Sequence, residues 1–122
     1  MARILIIDDD KLIRDAFKSV LEKFDHNLDF AKTAKEGMDL FKPKKYNLVF
    51  LDLALPDKDG QELLKDFRVI DKDTKICVIS GFLSKLGNLL EQHDQAVANT
   101  VFCMKPINRE EVMKIVEEAI AG

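Results

Sequence analysis

With 122 residues the chain has the length of one domain, read as spanning 1–122, and excludes a second. An apolar fraction of 47% beside 34% charged residues describes a globular protein that can bury its own core without disulfide or metal staples. A formal charge of -3, with no dense Lys/Arg cluster and no apolar stretch of spanning length, argues against direct binding to nucleic acid or membrane.

Met1-Ala2-Arg3 leads straight into an apolar run with no small-residue cleavage site, which speaks against a secretory signal. Residues 3–7 are a continuous apolar run, read as a strand buried on both faces, and they stop on Asp8, Asp9 and Asp10. Leu12, Ile13, Ala16, Phe17, Val20, Leu21 and Phe24 then recur at helical spacing among charged residues. A weaker strand covers about 28–31. Thr33 and Glu36 form a capping box for a helix that turns Ala34, Gly37, Met38 and Phe41 inward, and Pro43 stops it.

The strand at 47–51 runs into Asp52 and then into a loop rich in turn formers, Ala54-Leu55-Pro56-Asp57-Lys58-Asp59-Gly60. Its charges are read as a solvated turn. Leu63, Leu64, Phe67 and Ile70 mark a third helix. The strand at 75–79 ends at Ser80, and Leu86, Leu89 and Leu90 share one face of a fourth helix. The strand at 101–104 ends at Lys105-Pro106. Asn108 is a good N-cap, Glu110 and Glu111 suit the positive end of a helix dipole, and Val112, Ile115, Val116, Ala119 and Ile120 form the inner face of the last helix. Cys77 and Cys103 fall within buried strands and are read as core side chains in a reducing cytoplasm, not as a disulfide or zinc pair. His26 and His93 have no ligand partners at useful spacing and are read as surface residues.

Strand and helix thus alternate five times, the pattern of a parallel sheet covered on both faces. Parallel strands place their carboxyl ends along one edge, where open α/β sheets bind ligands. Carboxylates, the Ser80 hydroxyl and the Lys105 ammonium then share one cleft. Two carboxylates about 4 Å apart repel by roughly 4 kcal/mol at an effective dielectric near 20. Such a cluster either raises a pKa or holds a cation, and Mg²⁺ is the oxygen-loving ion that fits best. Asp52, isolated from other acids in sequence and at the middle strand, is the expected nucleophile of an aspartyl phosphate. Asp10 is assigned to helix capping or solvent.

These pieces resemble the receiver domain of bacterial two-component response regulators over essentially the whole chain. The matching residues are Ile6-Ile7-Asp8-Asp9-Asp10 with Arg14, Asp52-Leu53-Ala54-Leu55-Pro56 followed by Asp59-Gly60, Ile79-Ser80-Gly81, and Met104-Lys105-Pro106. The resemblance implies a flavodoxin-like three-layer fold with five helices and a five-stranded parallel sheet of order 2-1-3-4-5. It implies that Asp52 accepts a phosphoryl group from a histidine kinase or phosphotransfer protein. Asp9, Asp52 and the carbonyl of Ala54 would hold Mg²⁺, with Asp8 acting mainly through water. Ser80 and Lys105 would contact phosphoryl oxygens, Pro106 would follow a cis bond, and Gly60 would be structural. Ser80 and Phe102 would carry the change to a surface made by the fourth helix, fifth strand and fifth helix. A downstream protein or a covalently linked output domain would read that surface. The domain is then a switch and not an enzyme in the ordinary sense.

Several positions depart from the family pattern. Phe102 lacks the hydroxyl of the tyrosine often found there. Ala54 and Phe82 are apolar where the family tunes attack by water, which implies slow self-dephosphorylation. Ala98-Asn99 replaces a common Gly-Ala before the fifth strand, and Asn99 is expected to supply the left-handed residue that glycine normally would. Three rival readings are weaker. A haloacid-dehalogenase-type phosphohydrolase would use Asp8 in Asp8-x-Asp10, but Leu12 stands where its motif needs threonine. A flavin mononucleotide carrier would need a hydroxyl-rich loop where three acids would repel the phosphate. A degenerate receiver, serving only as an interaction module, would not keep the complete set of site residues.

Overall fold

The computed structural model describes residues 2–81 and 98–121. Five strands, β1 (Arg3–Ile7), β2 (Asn27–Ala31), β3 (Leu48–Asp52), β4 (Lys75–Ser80) and β5 (Thr100–Met104), form one parallel sheet of order β2-β1-β3-β4-β5. The described helices are α1 (Lys11–Leu21), α2 (Ala34–Leu40), α3 (Gly60–Ile70) and α4 (Arg109–Ala121), the last being the fifth helix of the sequence reading. The expected fourth helix with Leu86, Leu89 and Leu90, together with Phe82 and His93, lies outside the described residues.

The continuous apolar runs are explained by burial on both sides. In β1 and β3 successive side chains enter different cores. Leu5, Ile7, Val49 and Leu51 pack with Phe41, Leu63 and Phe67 on one face, while Ile4, Ile6, Leu48 and Phe50 pack with Phe17, Leu21, Val112 and Val116 on the other. Phe41 and Phe67 stack at 4.2 Å, and Phe17 meets Phe50 at 4.7 Å. Burying each such ring contributes about 2–3 kcal/mol relative to leaving it in water. The edge strands β2 and β5 are only half buried.

Helix starts follow the sequence signals. Asp10 Oδ1 accepts from Leu12 N at 2.9 Å, Thr33 Oγ1 from Glu36 N at 3.1 Å, and Asn108 Oδ1 from Glu111 N at 2.8 Å. The return half of the expected capping box is displaced: Glu36 Oε2 accepts a long 3.5 Å contact from Lys32 N. The apolar stripe of α1 is shorter than its sequence period. Leu12 is 78% exposed, and Phe24 lies beyond the helix in a 3₁₀ turn that closes on Asp25 with φ of 58°.

Candidate functional site

The register of the sheet builds the site. Ile7 pairs with Leu51, Asp52 with Ile79, and Ser80 with Met104, so the carboxyl ends of β1, β3, β4 and β5 are level. Asp8 follows β1 and Asp52 closes β3, while Ser80 closes β4 and Lys105 follows β5. Asp8, Asp52 and Ser80 are buried, Lys105 is partly buried, and Asp9 is exposed.

Carboxylate oxygens of Asp8, Asp9 and Asp52 all lie within 4.8 Å of one another. Lys105 Nζ donates to Asp52 Oδ2 at 3.0 Å and lies 3.5 Å from Asp8 Oδ2. The backbone fixes these acids: Ala54 N donates to Asp52 Oδ1 at 3.0 Å and Asp10 N to Asp8 Oδ1 at 2.9 Å. Arg14 Nη1 donates to the Asp8 carbonyl at 2.8 Å, and Lys105 N donates to the Ser80 carbonyl at 2.8 Å, extending the β4–β5 pairing to the cleft.

Burial, aided by the charge of Asp52, holds the Asp8 carboxyl above the usual aspartate range despite the Asp10 N–H and Lys105. Burial pulls the Lys105 ammonium the other way, but its hydrogen bond to Asp52 and the charges of Asp52 and Asp8 outweigh this. Its pKa ends above the ordinary lysine value. Three carboxylates facing one ammonium leave the cleft with excess negative charge. Oxygen-only donors with that excess fit a hard divalent cation such as Mg²⁺. An adjoining hollow of about 220 Å³ between α1 and α4 is mostly apolar, and Asp9 and Asp52 do not line it. The chemistry sits in the acidic notch beside it.

The loop after β3 departs from the solvated turn expected of it. Asp57 reaches across to the start of α2, where its carboxylate accepts from Ala34 N at 2.8 Å and Lys35 N at 3.0 Å. Those two N–H bonds, Ala34's first, hold Asp57 below the usual aspartate range. Lys58 pairs with Asp66, and Asp59 caps α3 through Gln61 N at 2.9 Å. Gly60 is required by close approach, since a Cβ there would sit 2.5 Å from Leu53 Cα and 2.8 Å from the Asp52 carbonyl oxygen. A contact across more than twenty residues, like that of Asp57, leaves no local sequence signal. His26 is likewise not a plain surface residue, because it is half-buried and its Nδ1 accepts from Ala2 N at 3.0 Å.

The Lys105–Pro106 bond is cis, as the resemblance implies, and Asn99 has φ of 59°, the left-handed residue expected where the chain departs from the family pattern. Phe102 is partly buried against the core shared by α2 and α3.

Fold and cleft together define an open α/β phosphoryl-handling domain with its acids at the carboxyl edge of the sheet. The sequence pattern of the response regulator receiver domain matches residues 4–117, and the chain belongs to that family, the phosphoacceptor signalling domains of two-component systems. It is similar to a CheY-like receiver domain protein of Methanospirillum hungatei, with 30% identity and a TM-score of 0.86 over 99% of this chain and 94% of that one. TrrA of Thermotoga maritima, solved in complex with Mg²⁺ and BeF, is 25% identical with a TM-score of 0.79 over 98% and 99% of the two chains. The cell cycle response regulator CtrA of Brucella ovis is 35% identical over 79 residues, 65% of this chain and 34% of CtrA. The matched stretch thus spans about a third of that relative's length.

Proposed function

We propose that Asp52 is the phosphoacceptor of a signalling switch formed by residues 1–122, and that a sensor histidine kinase or phosphotransfer protein is the donor. The observation that carries this reading is the convergence on Asp52 of Lys105, at 3.0 Å, with Asp8 and Asp9 inside 4.8 Å. A carboxylate oxygen of Asp52 attacks phosphorus as the bond to the donor nitrogen breaks, giving an acyl phosphate. Ala54 N and Lys105 hold the two carboxylate oxygens and so orient the nucleophile beforehand. Lys105, already shared between Asp52 and Asp8, pairs with an oxygen of the incoming group, and Ser80 offers its hydroxyl from the neighbouring strand.

Mg²⁺ would be held by Asp9, Asp52 and the Ala54 carbonyl, with Asp8 acting mainly through bound water. When bound it supplies charge neutralisation for the transferring group. The added phosphoryl charge, about -1.5 to -2, biases Ser80 and Phe102 toward a second arrangement. The surface around β5 and α4 then becomes the one a downstream protein or linked output domain reads. The phosphoryl group stays on the protein as a signal, so the domain is a switch and not a turnover enzyme. A reducing cytoplasm suits its two free, unbridged cysteines.

Incubation with acetyl phosphate and Mg²⁺ tests the site. Wild type is expected to gain one phosphoryl group, and Asp52→Ala none. Equal labelling of the variant would refute the assignment.

A further inference from the structure

Cys77 in β4 and Cys103 in β5 lie on adjacent strands with their Sγ atoms 3.7 Å apart, the Cys77 thiol donating to the Cys103 sulfur. Cys77 is fully buried in the core facing α1 and α4, and partly buried Cys103 packs against it. The chain has no other cysteine, so each thiol has one possible partner within the molecule. Among the described residues the only grouping of three or more metal-type donors is Asp8, Asp9 and Asp52, so no third ligand joins the sulfurs into a metal site.

The pair is diagonal. Cys77 stands opposite Val101 and Cys103 opposite Ile79. In this parallel pair an offset of two residues, about 6.6 Å of rise, across strands about 4.8 Å apart puts the two Cα atoms roughly 8 Å from one another, outside the roughly 4.4–6.8 Å that disulfides span. A bond between them therefore requires β5 to be drawn back along β4. As the edge strand, partly exposed and, among the described residues, paired only with β4, β5 is the one that can yield. Lys105 lies two residues beyond Cys103, and its ammonium is the group that engages Asp52.

We propose that Cys103 and Cys77 form a hydroperoxide-sensitive dithiol whose disulfide pulls β5 back and withdraws Lys105 from Asp52, slowing phosphoryl acceptance. The slowing rests on the function proposed above; formation of the bridge does not. The Cys103 thiolate attacks one peroxide oxygen and the O–O bond breaks. The departing oxygen takes up the proton released by the thiol and leaves as water or alcohol, so Cys103 becomes a sulfenic acid. Cys77 then attacks the Cys103 sulfur. An S–S bond forms, the S–O bond breaks, and hydroxide leaves as water with the Cys77 proton. Two thiols are oxidised and one peroxide is reduced. Cys103, the less buried of the two, is the side that peroxide reaches, and the hydrogen bond from Cys77 holds its thiol below the usual cysteine value.

The test treats wild type and Cys103→Ser with a small excess of hydrogen peroxide. It then reads the intact mass, the cysteine-containing peptides and the rate of labelling by acetyl phosphate with Mg²⁺. Wild type is expected to form no covalent dimer, lose two hydrogens and yield a Cys77–Cys103 linked peptide. Its labelling is expected to slow by about a hundredfold, the scale set by misplacing a catalytic group by an ångström or so. Dithiothreitol reverses both changes, and Cys103→Ser shows neither. Oxygen adducts without a bridge, a covalent dimer or two intact thiols would overturn the proposal. A bridged protein that labels at the reduced rate constant would overturn the link to Lys105. If reduced wild type takes no label, the link falls with the site reading, while the mass readout still decides the bridge.

Discussion

Asp8, Asp9 and Asp52 at the edge of the sheet, and Asp10, Asp57 and Asp59 a few residues away, bring one functional group into opposite surroundings. The first set faces other carboxylates and a single ammonium. The second set faces the unpaired N–H groups of helix starts: Asp10 on α1, Asp57 on α2 and Asp59 on α3. A helix start stabilises a carboxylate, whereas a second buried carboxylate destabilises it. The capping acids therefore strengthen the fold, and the cleft acids weaken it in return for a place to receive charge.

Gly60 joins the two regions, because the loop that presents capping Asp59 folds against the backbone of Asp52 and Leu53. Gly60→Val is expected to have the largest effect on stability. The side chain meets backbone that cannot move aside, costing about 3 kcal/mol in urea unfolding. A loss within experimental error would mean that the loop is not held as described.

Asp8→Asn and Asp59→Ala then divide the regions by sign. In metal-free protein, Asp8→Asn relieves repulsion with Asp52 and is expected to stabilise by about 1 kcal/mol, the usual scale of an optimised charge at a functional site. The same change weakens Mg²⁺ binding in a titration. Asp59→Ala removes a cap and is expected to destabilise by about 1 kcal/mol while the labelling rate of Asp52 stays unchanged. Shifts of the same sign would erase the distinction.

The smallest effect is that of Asp57, which is exposed. Its folded pKa lies below the ordinary aspartate value, so its contribution is present above that value and lost as pH falls through the folded pKa. Asp57→Asn is thus expected to lower the melting temperature at pH 7, with the difference fading below about pH 4. A difference that grows on acidification would contradict the capping geometry.

The cleft was legible in sequence because each of its residues ends an apolar run, and parallel pairing brings such ends level. The runs themselves follow from burial on both faces of β1 and β3. Strand order did not come from periodicity; it entered through the resemblance to receiver domains. The missed features were contacts between distant segments: Asp57 on α2, Ala2 on His26, and the meeting of Cys77 with Cys103. Local pattern carries no record of these, since each depends on which strands are neighbours and in what register. The overlong stripe of α1 has a related cause. Leu12 and Phe24 continue the helical period, but the buried face of α1 does not extend to them.

The central claim is most directly tested by locating the phosphoryl group. Protein labelled with acetyl phosphate and Mg²⁺ can be reduced with borohydride, which converts an aspartyl phosphate to homoserine, and then sequenced by mass spectrometry. The structure leads us to expect homoserine at position 52 alone. Homoserine at position 8, as a hydrolase of the rival class would give, would contradict the assignment of Asp52.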